Sequence, residues 1–191
     1  MKKFKRRGAV ISTHFSGYEI ELLTSLVTQL VDMVSDGEPQ EFTRSTEPAD
    51  PFAAWAQDLA SDPSEPEVSD DPVLQRLFPN PYPHDAAAAS DFRRFTERDL
   101  KTKKIAEAQV VLRRLEEAGQ GARDVRIPAD EVDQWLRTLT SVRLAVATRL
   151  GITDTESAEE LSELPETDPR AFMLSVYDWL GFAEETLISA L

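Results

Sequence analysis

The chain has 191 residues, no cysteine, 41% hydrophobic residues and a formal charge of −14. This is enough apolar material for one domain with a real core. The missing thiols exclude disulfides, thiolate catalysis, iron–sulfur clusters and cysteine-ligated zinc. The acidic balance disfavours direct nucleic-acid binding by long-range attraction.

The start, Met1-Lys2-Lys3-Phe4-Lys5-Arg6-Arg7, has the basic character of a signal-peptide n-region, but Gly8 to Phe15 is short and polar-interrupted. No stretch approaches the roughly 20 apolar residues of a membrane span. The expectation is a cytoplasmic protein without a membrane segment. Alternation in Phe4–Arg7 and Ala9–Phe15 around Gly8 reads as one or two short strands, with Asp124–Ile127 as a candidate partner strand. Ser16-Gly17-Tyr18-Glu19 has the spacing of a capping box, and the helix after it should run to about Ser35 before Asp36-Gly37 stops it.

Between Glu38 and Asp71 there are ten acids, one base (Arg44) and five prolines. Low hydrophobicity and high charge cannot offset the entropy of ordering such a stretch, so 38–71 is expected to be an acidic, Pro-rich, partly disordered insertion. Inside it, Asp50-Pro51 is a helix-start signal, and Phe52, Trp55 and Leu59 fall on one helical face, a candidate recognition element. Asp71-Pro72 opens a short helical turn, and Asp85 caps the longest predicted helix, Ala86 to Ala118, which Gly119 and Gly121 end. Another helix ends at Leu150 with Gly151 at C′. Residues Asp154 to Asp168 hold seven acids and no base and read as a second acidic connector, after which Asp168-Pro169 caps a last helix.

The helices supply the core. Trp135, Leu139, Val142, Val146 and Leu150 form one apolar line, and Phe172, Val176, Trp179, Leu180, Ala183 and Leu187 another. The fold class is therefore mainly α: a single-domain bundle of about four main helices over 1–191, with a small N-terminal β element and the acidic mobile loop.

No catalytic constellation is legible. His14 and His84 are far apart, no metal-ligand spacing or calcium loop occurs, and no Gly-rich phosphate loop is present. No catalytic residue, metal or cofactor is therefore expected, and the protein reads as a non-enzyme. The feature that remains is basic. Arg93 to Arg126 holds ten bases against six acids. Projected at about 100° per residue, Arg93, Arg94, Lys101 and Lys104 share one face, with Arg98 at its edge. These five residues are candidates for a partner-binding surface; the competing reading is a strip that neutralises the protein's own acids. Asp99 and Lys103, at i,i+4 on the side with Phe92, Phe95 and Val110, are expected to be a partly buried ion pair.

Four blocks of sequence carry a resemblance. They are Asp71-Pro72-Val73-Leu74-Gln75-Arg76-Leu77-Phe78-Pro79 with Tyr82 and Asp85; Asp91-Phe92-Arg93-Arg94-Phe95-Thr96-Glu97 with Leu100 and Lys104; Trp135-Leu136 through Arg143-Leu144 to Arg149-Leu150-Gly151; and Tyr177-Asp178-Trp179-Leu180-Gly181 with Glu185. In order and spacing they resemble the actinobacterial family of formerly unknown function that includes the oxidative-stress transcriptional regulator AosR, often encoded beside the ClpS adaptor. Asp91, Thr140-Ser141, Ala147 and Ala183-Glu184 depart from that pattern. The resemblance implies a regulatory protein that binds a component of the transcription machinery, a sigma factor or RNA polymerase, in an oxidative-stress response. It also implies a cysteine-pair switch, which this cysteine-free chain cannot form. The alternative is an adaptor in regulated proteolysis that works through Phe52, Trp55 and Leu59. A homodimer is compatible with either.

Overall fold

A computed structural model describes residues 1–35, 69–165 and 167–191. The insertion expected at 38–71, with Phe52, Trp55 and Leu59, lies outside the described residues except for its last three positions. The chain opens with a hairpin, β1 (Lys5–Arg7) and β2 (Val10–Thr13), turned at Gly8 in the left-handed region. The expected third strand is present: β3 (Val125–Pro128) pairs antiparallel with β2, giving the order β1-β2-β3. Ile11, Thr13, Val125 and Ile127 are buried, so one face of this small sheet closes the core.

The first helix, α1 (Gly17–Ser35), starts at the expected capping box: the Ser16 amide donates to Glu19 Oε2 at 2.7 Å and the Glu19 amide to Ser16 Oγ at 3.3 Å. Burial works to raise the Glu19 carboxyl, but hydrogen bonds from the N-terminal ammonium and from Ser16 outweigh it and hold the group below its ordinary value. Next comes the short α2 (Pro72–Leu77), capped by Asp71, whose carboxylate accepts from the Val73 amide at 2.8 Å and also pairs with Arg149 at 2.6 Å.

The predicted long helix is a continuous run with a defect in it. α3 (Ala86–Phe92), capped by Asp85, passes into a π-helical turn at Arg93–Glu97 and then into α4 (Arg98–Ala118). Gly119 caps α4 in the left-handed region. The loop after it runs against the start of α1. A Cβ on Gly121, at φ +80°, would lie 2.7 Å from the Gly17 nitrogen, so only glycine fits this crossing.

Two more long helices follow, α5 (Val132–Leu150) and α7 (Pro169–Ile188), with α6 (Thr155–Ser162) between them. The stretch expected to be a plain acidic connector thus holds a helix. Asp154 and Ser157 make a reciprocal capping box, and Leu161 buries against Ala147 and Ile152 in a small satellite core. Trp135, Leu139, Val142, Val146, Val176, Leu180, Ala183 and Leu187 are buried in the main core, as the stripes predict. Phe172 departs from its stripe and is 51% exposed, while the adjacent Met173 packs against the core. Trp179 is half-buried and packs edge-on against Phe15 at 5.9 Å. No described helix is long and apolar enough to cross a membrane.

Candidate functional site: the shoulder of the long helix

The five basic candidates do not form one outward strip. A polar seam joins α4 to the antiparallel α5. Lys104 Nζ donates to Ser141 Oγ at 2.8 Å, Glu107 meets Arg137 at 3.6 Å, and Arg114 grips Glu131 with two bonds of 2.7 and 2.6 Å. Lys104 is therefore half-buried inside the bundle, where burial lowers its pKa, with Glu107 opposing and Arg137 adding to that shift. Hydrogen bonds from Arg114, against the effect of burial, hold the Glu131 carboxyl below its ordinary value, and the same bonds raise Arg114. Lys101 pairs with Glu97 at 2.9 Å, and both Lys101 and Lys104 place their ammonium groups 5.9 Å from the Phe78 ring centre.

The remaining three candidates lie on or beside the π turn. Arg93 is half-buried with its Nε unpartnered among the described residues. Arg94 is exposed, its guanidinium 5.4 Å from the Phe95 ring centre. Arg98 is exposed and takes part in a further intramolecular contact. The π turn explains why a uniform projection misplaces these side chains. A wider turn rotates everything beyond it relative to a regular α-helix. It also overturns the expected Asp99–Lys103 pair: both residues are exposed, no ion pair joins them, and Phe95 is 69% exposed rather than turned inward.

What the turn creates is a groove of about 690 Å³ between α2 and the α3–π–α4 run. Leu74, Leu77, Phe78 and Phe92 floor it, and Arg93 and Lys101 stand on its rim with Glu97. Tyr82 (47% exposed) stacks edge-on against Phe92 at 6.2 Å, and Leu100 (41% exposed) stands at the other side. Sequence reasoning missed Phe95, Tyr82 and Leu100 as surface residues. The available signal was the proline-rich Pro79-Asn80-Pro81, which holds Tyr82 off the bundle.

A second cleft, of about 410 Å³, lies beside α5, α6 and α7. Arg143 stacks on Tyr177 at 4.4 Å and reaches Glu184 at 3.4 Å, while Thr140 donates to the same carboxylate at 2.6 Å. A Cβ on Gly181 would come within 3.3 Å of that guanidinium. The cluster clamps α5 to α7 and explains a glycine in mid-helix. A further concavity, of about 1070 Å³, runs between α1 and α4, with Thr24, Ser25 and Thr28 on one wall and Gln109 and Leu112 on the other. His14 bonds Asp124 at 3.1 Å, and among the described residues no group of three or more potential ligands is placed to hold a metal.

These features define a mainly helical protein whose core is closed by a small sheet and whose long helix exposes apolar and cationic groups at a π-helical shoulder. The chain belongs to the family described as a domain of unknown function, DUF2017, which it matches over residues 1–191. No curated protein and no solved structure matches it.

Proposed function

We propose that the protein is a regulatory binding protein and that the groove between α2 and the π turn docks a component of the transcription machinery, a sigma factor or RNA polymerase itself. The observation that carries a docking role is the exposure of two apolar side chains on the same helical run: Leu100 at the half-covered groove of Phe78 and Phe92, and Phe95, with Arg94 stacked on it, on the π turn outside that groove. The resemblance of the sequence blocks supports the choice of a transcription partner. Magnitudes assign the roles. Burying a Phe or Leu side chain stabilises a complex by about 1.5–3 kcal/mol, whereas an exposed ion pair contributes about 0.2–1 kcal/mol. Phe95, Leu100 and Tyr82 are the anchors, and Arg94 and Arg98 orient acidic side chains of the partner. A partner segment with apolar residues flanked by acids fits this surface.

The test is co-purification with the sigma factors and RNA polymerase of the native cell, with far-ultraviolet circular dichroism as the folding control. Phe95→Ala combined with Leu100→Ser should abolish it and leave helicity unchanged. Arg94→Glu combined with Arg98→Glu should weaken it in a salt-dependent way. Undiminished co-purification of both variants would reject the groove. Loss of binding only when residues 38–70 are deleted would move recognition to the segment with Phe52, Trp55 and Leu59 and favour an adaptor in regulated proteolysis.

A further inference from the structure

The basic start of the chain is built into the sheet. The register pairs Lys5 with Ser12 and Ser12 with Arg126, and Arg7 with Val10 and Val10 with Pro128. Because Ile11, Thr13, Val125 and Ile127 occupy the buried face, these two rows face outward. Lys2 and Lys3 precede the hairpin and Arg123 precedes β3, all exposed. None of Lys2, Lys3, Lys5, Arg7, Arg123 and Arg126 forms an ion pair with a described residue. Of the acids at that end of the sheet, Glu117 pairs with Arg114, while Asp124 is exposed and hydrogen-bonded to His14, which leaves one carboxylate beside Arg126. Arg6 is held by the carbonyls of Gly8 and Leu191. At one end of the face, His14, Arg123 and Arg126 border a hollow of about 600 Å³. Three unpaired cations, Lys5, Arg7 and Arg126, stand in the outward rows of this small sheet, with Lys2, Lys3 and Arg123 beside its strands, and in a chain of net charge −14 they form a polarised surface.

We propose that the outer face of the three-stranded sheet docks an acidic, extended segment of a protein partner. Alternate side chains of a strand repeat about every 6.8 Å, so acids at alternate positions of an extended peptide match the spacing of Lys5 and Arg7. Arg7 and Arg126 offer forked donors that suit carboxylates. A nucleic acid fits less well. The outward rows hold Val10, Ser12 and Pro128 and no aromatic ring on which a base could stack. A long polyanion also meets the acidic remainder of the chain. This surface is separate from the groove at the π turn and does not depend on it.

The experiment is fluorescence anisotropy on the full chain with a labelled peptide of alternating Glu and Thr, its Gln-for-Glu counterpart, and single-stranded and duplex DNA of similar length, at low and high salt. The acidic peptide should bind, lose affinity with salt, and bind at least about tenfold more weakly to K5E/R7E/R126E. The Gln peptide should not bind, and DNA should bind more weakly than the acidic peptide. The milder K5Q/R7Q/R126Q variant should give an intermediate loss and guards against a folding artefact, and Phe95→Ala should change nothing. No binding of the acidic peptide at low salt, binding indifferent to the triple variants, or DNA binding at least as tight as the peptide would each overturn the proposal.

Discussion

Lys104 reaches across from α4 with its ammonium drawn out of water, one hydrogen bond to Ser141 and the Phe78 ring beside it. Half-burial disfavours its charged form, so the folded protein holds that proton less tightly than the unfolded chain does. Stability should therefore rise as pH increases from Lys104's lowered folded pKa towards the ordinary lysine value of 10.5. Lys104→Met should abolish that rise and should be neutral or stabilising at pH 7, because an apolar chain of similar length fits the seam without a desolvation cost. Ser141 keeps a partner in this variant, since its hydroxyl donates to the Arg137 carbonyl at 2.7 Å. Thermal unfolding of the two proteins across alkaline pH checks both points; a large drop in melting temperature for Lys104→Met would contradict them. Because Lys104 bonds Ser141 and Lys101 pairs with Glu97, substitutions at these two lysines act on folding as well as on any surface.

Helix boundaries are set by a few side chains, and these were the most legible part of the sequence. Ser16 and Glu19, Asp71-Pro72, Asp85, Gly119, Gly151 and Asp168-Pro169 all mark helix ends as expected. The hairpin and its β3 partner were legible from alternation and from Gly8. What composition hid was α6, because seven acids in fifteen residues read as solvated chain while its stability comes from one capping box and from Leu161. The π turn was hidden too. Widening a helical turn changes no residue type, so periodicity beyond Arg93 pointed to the wrong face. Legibility of the candidate site failed for that reason: the residues named were near the right place, but which of them face water depended on a backbone detail. The caps also set an acid limit. Hydrogen bonds from the Arg170 side chain and then its amide lower the Asp168 carboxyl to about 2, below its ordinary 3.8. Its contribution to α7 is fully present above pH 3.8 and is lost as pH falls through about 2. The protection of the Arg170 amide, its exchange rate relative to the intrinsic rate at each pH, should hold at pH 4 and fall towards pH 2, and Asp168→Asn should remove that pH dependence. Absence of protection at pH 4 in the wild type would contradict the cap.

At the scale of the molecule, the helices, not any buried polar centre, organise the chain. Trp135 is fully buried and closes the core with α7, and Arg143 fastens the same two helices from outside. This leaves two outward features of different character: an apolar groove with a cationic rim at the π turn, and a cationic sheet face with no aromatic ring. They lie on different elements and suit different segments of a partner, so each can be altered while the core stays intact. The family match extends over residues 1–191, spanning both features. The most direct measurement of the central claim is hydrogen–deuterium exchange of the full chain with and without the sigma factors and RNA polymerase of the native cell. Protection on binding should fall on residues 74–82 and 92–100. Protection confined to α5 and α7, with no change at the π turn, would contradict the account.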